Sequence, residues 1–260
     1  MPVLGMHIIS IEEQAFTAPS KWEEVKAKDL LQISLATGIQ DKSKRFREIL
    51  TCRMYNIPQA LYFKLRPGQQ VQLSHTLNWI FAKNAISNWL MGAVKVGKVK
   101  LFGPKHRLAD LTIEEFMYTE AAYERWLQSS KTEYLDTLFA VLYRRKIFFS
   151  LYRRKFDARH LAKQEVRATR LKNYVKKAVA LNYSGCRNFI IDRHPNIWKA
   201  AADSLEKKDG HTLTNWAAII LDLAGDKFGT YEQTLKSNLW IVLADLDKKA
   251  KTVAEMEKPR

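Results

Sequence analysis

The chain has 260 residues, and its 43 lysines and arginines exceed its 27 acids to leave a formal net charge of +16. This length supports one large domain or two small ones with a hydrophobic core, and the charge favours contact with a polyanion or an acidic surface. Two cysteines, Cys52 and Cys186, are too few for a disulfide framework or a cysteine-rich zinc site, so both are expected to be small buried residues.

The N-terminal part of the chain predicts short helices after an extended start. Residues 6–11 favour a strand or an extended arm. Ser20 and Glu23 have the spacing of a capping box, so a helix is expected from there to Gly38. Further helices are predicted over 41–54, after Pro58 and over 69–82, with a turn at 66–70.

A small β element is predicted near residues 94–101. Valines and Leu101 alternate there with three lysines, and this period of two is typical of a strand with one buried face. Gly97 supplies the turn of a hairpin, and the lysines would protect an exposed strand edge from pairing with other chains.

Two packed helices are predicted after the β element. Thr112 and Glu115 form a second capping box at the start of the first helix. The second helix carries a regular apolar stripe made of Leu135, Leu138, Phe139 and Leu142. The basic run that begins at Arg144 is expected in the last turn of this helix, where cations suit the helix dipole.

The C-terminal part predicts helices over 194–205, 213–229 and 231–251. The fold class is therefore mainly α, a multi-helix globular domain with a small β-hairpin. The predicted regions are a helical region with the β element over 1–143 and a basic helix followed by C-terminal helices over 144–260. One continuous domain is the open alternative.

Most of the positive charge lies in one segment. Residues 144–187 carry 14 basic and two acidic side chains, which is +12 of the total excess. A single helix through this segment would place Lys163, Arg167, Arg170 and Lys177 within an arc of about 80° beside an apolar stripe. A solvated helix face normally mixes charges of both signs, so this segment is the first place to look for an electrostatic function.

Two candidate surfaces follow from these patterns. The candidate polyanion or partner surface consists of Arg144, Arg145, Lys146, Arg153, Arg154, Lys163, Arg167, Arg170 and Lys177. Aromatic residues that could stack on bases are Tyr152, Phe156 and Tyr174. The final helix offers an apolar candidate partner surface, with ordinary core packing as the alternative, made of Leu235, Leu239, Trp240 and Leu243.

No motif with a defined chemistry is present in the sequence. It contains no phosphate-binding glycine loop and no HExxH, and its six histidines are isolated from other metal-ligand residues. No sequence-reading nucleic-acid motif accompanies the basic segment. We therefore expect no catalytic residue, metal ion or cofactor, although a site built from distant residues stays an alternative.

Several stretches together resemble one group of proteins. They are PSKWEEV (19–25), GPKHRLADLTIEEF (103–116), LDTLFAVLYR (135–144), ALNYSGCRNFI (180–190) with HPNIW (194–198), and NWAAIILDLAGDKFGTYEQT (215–234). Their order and spacing are similar to those of uncharacterised proteins from tail-module gene clusters of phages and prophages of Bacteroidota. The shared motifs are packing and capping motifs, so the resemblance implies no catalytic residues.

The resemblance implies a non-enzymatic structural or tail-assembly protein that works by protein–protein contact. Its expected partner is a phage structural or tape-measure protein, and self-association is a further alternative. The protein would act in the bacterial host cytoplasm during assembly, with retention in the virion left open. The N-terminus lacks a signal-peptide pattern and no long apolar run predicts a membrane span. The alternative function is sequence-nonspecific binding of nucleic acid through residues 144–187.

Overall fold

The computed structural model describes residues 6–37, 45–147, 150, 152–199, 216 and 227–256. The helices in these ranges are α1 (Ala27–Thr37), α2 (Phe46–Tyr55), α3 (Gln59–Tyr62), α4 (Pro67–His75), α5 (Ile113–Ser129), α6 (Thr132–Leu142), α7 (Leu161–Ala168), α8 (Asn173–Arg193), α9 (Tyr231–Leu235) and α10 (Leu239–Met256). Residues 195–199 are also helical. Short 3₁₀ turns lie at Trp22–Glu24, Asn78–Phe81, His106–Leu108 and Ala158–His160. The predicted mainly α class is confirmed.

The predicted β-hairpin is confirmed and spans Ala93–Val96 (β3) and Val99–Phe102 (β4). Gly97 has a φ of +58°, a left-handed conformation that glycine adopts without steric penalty. Val96 and Leu101 are buried, whereas the lysines of both strands are exposed, as the alternating pattern predicts. A second antiparallel hairpin, β1 (His7–Ile11) with β2 (Gln14–Ala18), includes the stretch predicted as a strand or an extended arm.

The chain divides into two compact units, each drawn from separate stretches of sequence. The first contains Met1–Met91 and Lys172–Asn188, and the second contains Gly92–Leu171 and Phe189–Arg260. The boundary predicted between residues 143 and 144 falls inside the second unit.

In the first unit, the loop that follows α4 and its 3₁₀ turn is tied to α8 by buried amides. The Asn182 side chain accepts from the backbone N–H groups of Leu90 and Met91, at 2.7 and 3.2 Å. Asn84 Nδ2 donates to the Leu181 carbonyl at 2.7 Å. Cys52 and Cys186 are both buried, so their predicted placement is confirmed. These polar contacts satisfy loop backbone groups that would otherwise be costly to bury.

In the second unit, α5 and α6 pack against each other and α7 packs on α6. The apolar stripe predicted on α6 is buried, with Leu135, Leu138 and Leu142 at 0% exposure. The capping box at the start of α5 is also confirmed, because Thr112 Oγ1 accepts from Glu115 N and Glu115 Oε2 accepts from Thr112 N. Local capping and helical periodicity thus place α5 and α6.

Three local predictions are corrected by the structure. Ser20 contacts Glu24 rather than Glu23, and a 3₁₀ turn precedes α1. Residues 66–70 were predicted as a turn, but they contain the start of α4, with Pro67 at the first helical position, where its missing N–H is tolerated. The helix predicted over 231–251 is interrupted between α9 and α10.

The predicted single basic helix is also interrupted. Helix α7 ends at Ala168 and α8 begins at Asn173, so the four cations of the predicted arc do not lie on one continuous helix. The predicted helices over 194–205 and 213–229 are described only at residues 194–199, 216 and 227–229, and the predicted helix start at 41–44 lies outside the described residues.

Candidate anion-binding cleft

Two of the candidate surface residues, Arg144 and Arg153, are internal. Their side chains are 9% and 6% exposed, and both approach the carboxylate of Glu115 on α5. Arg144 forms a close ion pair with Glu115, and Arg153 pairs with Asp110 at 3.0 Å. The prediction that the basic run from Arg144 lies in the last turn of a helix is wrong, because α6 stops at Leu142.

The two arginines hold the loop after α6 against the body of the second unit. Arg144 Nε donates to the Arg154 carbonyl and Nη1 donates to the Val141 carbonyl, both at 2.7 Å. Arg153 Nη1 donates to the Leu142 carbonyl. Burial lowers the pKa of the Arg144 guanidinium from its ordinary value, while Glu115 opposes that shift. The two arginines therefore fix the backbone of this loop and with it the position of the neighbouring basic residues.

A cavity of about 370 Å³, which we call the cationic cleft, lies next to Arg144. It is formed by the end of α6, residues 144–145 and 154–157, and the first two turns of α7, and its lining side chains are Ala140, Arg144, Arg145, Arg154, Lys155, Phe156, Asp157, His160, Leu161, Lys163, Gln164 and Arg167. Six of these residues are lysines or arginines. The structure thus brings together Arg145, Arg154, Lys163 and Arg167, which the sequence analysis had named.

Asp157 is the one carboxylate among the described lining residues, and it already has hydrogen-bond partners. Asp157 accepts from the backbone and the guanidinium of Arg159, with contacts of 2.9 to 3.0 Å, and lies 3.2 Å from a ring nitrogen of His160. The hydrogen bonds from Arg159 hold the pKa of Asp157 at about 2. Asp157 also accepts as the N-terminal cap of the 3₁₀ turn that leads into α7.

The remaining cations of the cleft lack an acidic partner within the described part of the chain. Arg145, Arg154, Lys155 and Lys163 are exposed, and none has a carboxylate within 4.0 Å among the residues described. Arg167 Nη1 donates to Gln164 at 2.7 Å. The one acid of α7, Glu165, accepts from Thr137 on α6. The cleft therefore combines several solvated donors with a concave surface, which suits a carboxylate or a phosphate group.

The other basic candidates do not line this cleft. Lys146 lies over the ring of Phe102 at 4.5 Å, and Arg170 is exposed just after α7. Lys177 is on α8 in the first unit, whereas the cleft is described within the second unit. The nine candidates therefore do not form one described surface.

The proposed stacking residues are only partly accessible. Tyr152 is 64% exposed, with Lys105 Nζ 5.1 Å from its ring centroid. Phe156 is half-buried, packs on Tyr118 at 5.4 Å and lies beneath Arg144. Tyr174 is half-buried on α8 in the first unit.

The apolar candidate surface on the final helix is corrected by its burial. Leu239 and Leu243 are 0% exposed, so they belong to the core of the folded chain and offer no surface to a partner. Leu235 and Trp240 are half-buried. The core alternative therefore holds for the two leucines, because α10 turns this face towards α5.

Six lining residues were not predicted, namely Ala140, Lys155, Asp157, His160, Leu161 and Gln164. Lys155 belongs to the second Tyr-Arg-Arg-Lys run, so counting both runs in full would have found it. No pattern in the sequence predicts that His160 and Gln164 line the cleft, because their positions depend on where the preceding loop ends and α7 begins.

No three His, Cys, Asp or Glu side chains form a metal-binding group in the described ranges. Across those residues, no helix has the length and apolarity that crossing a bilayer requires. The chain matches no protein-family model, no curated protein and no solved structure.

Proposed function

We propose that the chain is a non-enzymatic phage tail-assembly protein that binds an acidic segment of a partner protein in the cationic cleft. The observation that carries the binding part is the set of solvated cations around one concave surface, where Asp157 is the only carboxylate among the described lining residues. Complementary charge of this kind favours encounter with an acidic partner and selects against basic ones.

The tail-assembly part of the proposal is supported by the resemblance of the packing and capping motifs. The proposed partner is a phage structural or tape-measure protein, met in the bacterial host cytoplasm during assembly. The shape of the cleft supports a discrete acidic group as ligand, because a cavity of about 370 Å³ accepts a few side chains rather than a long polymer.

The test compares two variants with the same change in charge. The cleft variant carries Arg154→Glu, Lys163→Glu and Arg167→Glu, and the control variant carries Lys95→Glu, Lys98→Glu and Lys100→Glu on the β3–β4 hairpin. Both sets lie in the second unit, but the control lysines do not line the cleft. Thermal unfolding of each variant first establishes that the fold is retained.

The tagged wild-type chain is then recovered from infected or induced cells. We expect a phage structural or tape-measure protein to accompany the wild type and the control variant and to be lost from the cleft variant. If no such protein is recovered with the wild type, the assembly proposal fails. If both variants lose the partner equally, the cleft is not the binding surface.

A second candidate function is sequence-nonspecific binding of nucleic acid by the same cleft. The observation that favours it is the presence of Arg145, Arg154 and Arg167 in one cleft, since guanidinium groups match phosphate geometry. The limited accessibility of Phe156 makes a contribution from base stacking small. Affinity for labelled DNA and RNA would then fall steeply with salt, and the cleft variant would reduce the slope of log K against log salt by roughly two to three.

A further inference from the structure

The second unit contains another cavity, of about 410 Å³, between the 3₁₀ turn at His106–Leu108, the end of α8 and the start of α10. It is lined by His106, Arg107, Ala109, Phe189, Arg193, His194 and Trp240. Its lining combines aromatic rings with two arginines. None of these residues lines the cationic cleft, so this cavity carries an inference of its own.

The aromatic rings form two walls of the cavity. Phe189 and Trp240 have ring centroids 6.0 Å apart at an interplanar angle of 59°, and the ring of His194 lies 5.6 Å from Trp240 at 53°. Trp240 and Phe189 are half-buried rather than packed away. Exposed faces of this kind are the platforms on which proteins stack planar rings.

Two guanidinium groups are held over one of these rings. The Cζ atoms of Arg107 and Arg193 lie 4.9 and 5.8 Å from the centroid of Phe189. Stacking on the ring orients a guanidinium and leaves the N–H donors at its edge free for a ligand. Neither arginine has a carboxylate within 4.0 Å among the residues that the structure describes. The two arginines therefore present oriented positive charges to which an anion can bind.

One lining residue of the cavity has a buried polar atom without a hydrogen-bond partner among the described residues. His194 is 8% exposed, and its Nε2 makes no hydrogen bond there. A buried nitrogen without a partner is uncommon, because leaving such a group unsatisfied destabilises the folded chain.

The backbone around Arg107 is fixed by long-range contacts. Arg107 and Leu108 have positive φ values of 56°, a left-handed conformation that is strained for non-glycine residues. Trp240 Nε1 donates to the Arg107 carbonyl at 3.0 Å, and Asn238 Nδ2 donates to the Ala109 carbonyl at 2.9 Å. These bonds keep the Arg107 side chain over Phe189 before any ligand arrives.

We propose that this cavity binds a nucleotide, with the base stacked on Trp240 and the phosphate held by Arg107 and Arg193. The combination of a planar ring and an anionic group matches the two kinds of lining. The volume lies at the lower end of the range of roughly 300–1,000 Å³ for small-molecule pockets. The nucleotide could be free or could end a nucleic-acid strand, because both present the same base and phosphate.

The experiment is calorimetric titration of the full chain with adenosine monophosphate, adenosine and inorganic phosphate separately. We expect saturable binding of the nucleotide and at least about tenfold weaker binding of each part, because each lacks one of the two recognised groups. A 5′-phosphorylated trinucleotide distinguishes the sources, and binding of either form of nucleotide supports the proposal. Absence of nucleotide binding up to millimolar concentration overturns it, as does equal binding of phosphate alone.

Variants then locate the site. Arg107→Gln and Arg193→Gln each remove one charge from exposed side chains, and each is expected to weaken nucleotide binding about tenfold or more, as loss of a charge-assisted hydrogen bond does. The matched controls are Arg154→Gln and Arg167→Gln in the cationic cleft, for which we expect unchanged nucleotide affinity. Nucleotide binding that is unchanged in the first pair, or that is reduced equally in the controls, would overturn the assignment.

Discussion

The ion pair between Glu115 and Arg144 provides the sharpest test of the structural argument. Both side chains are nearly removed from water, at 3% and 9% exposure. Replacing Glu115 with glutamine keeps an oxygen that can accept from Thr112 N, but it leaves the Arg144 charge buried without its partner. Removal of one member of a buried ion pair costs about 3–5 kcal/mol. At about 2–4 °C per kcal/mol, the midpoint of thermal unfolding should fall by roughly 6–20 °C.

Two further variants isolate the cause. Glu133→Gln makes the same chemical change at an exposed position in the first turn of α6, and we expect a change within about 0.5 kcal/mol. Combining Glu115→Gln with Arg144→Met should restore part of the loss, because the unpaired charge is removed as well. The assay is urea unfolding followed by far-UV circular dichroism. A Glu115→Gln protein as stable as the wild type, or a double variant without any recovery, would show that the buried ion pair does not stabilise the fold.

Three other predictions concern stability and reactivity. A Cβ at Gly185 would lie 2.5 Å from the Ile86 carbonyl oxygen, so Gly185→Ala should lower the free energy of unfolding by about 1–3 kcal/mol. The control Gly68→Ala has open space around the new Cβ and should not destabilise the protein. Equal urea midpoints for the two variants would contradict this. Burial, with a contribution from Glu48, raises the pKa of the Cys52 thiol to about 11, so native Cys52 should resist alkylation near neutral pH and react once the chain is unfolded; rapid labelling of the native protein would disprove this. Burial lowers the pKa of His194 below 6.5, while Asp247 opposes the shift and Arg193 adds to it. The neutral ring therefore contributes to the stability of the fold above pH 6.5, and this contribution to the free energy of unfolding is lost as the pH falls through the lower folded-state pKa. The His194→Gln variant should therefore lose less stability than the wild type between pH 7.5 and pH 5, as measured by urea unfolding, and identical losses would rule this out.

Much of the fold could be predicted from the sequence because its signals are local. The capping box at Thr112, the apolar stripe of α6 and the alternation around Gly97 each act within a few residues, and the structure contains the two helices and the hairpin that they predict. Helix ends were harder to predict. The break after Ala168 separates residues whose helical pattern is continuous in the sequence, so the predicted arc of cations was not formed.

The concentration of positive charge in residues 144–187 can be read from the sequence alone, and local sequence patterns are enough to predict a mainly helical chain. Which of those charges are available to a ligand depends on how the chain folds. Arg153 and Asp110 meet across 43 residues, and Arg144 reaches Glu115 on another helix, so both arginines are neutralised internally. Arg145, Arg154 and Lys163 remain solvated around a cleft. The physical reason is that ion pairing depends on distances of a few ångströms between groups far apart in the chain, and no local pattern records those distances.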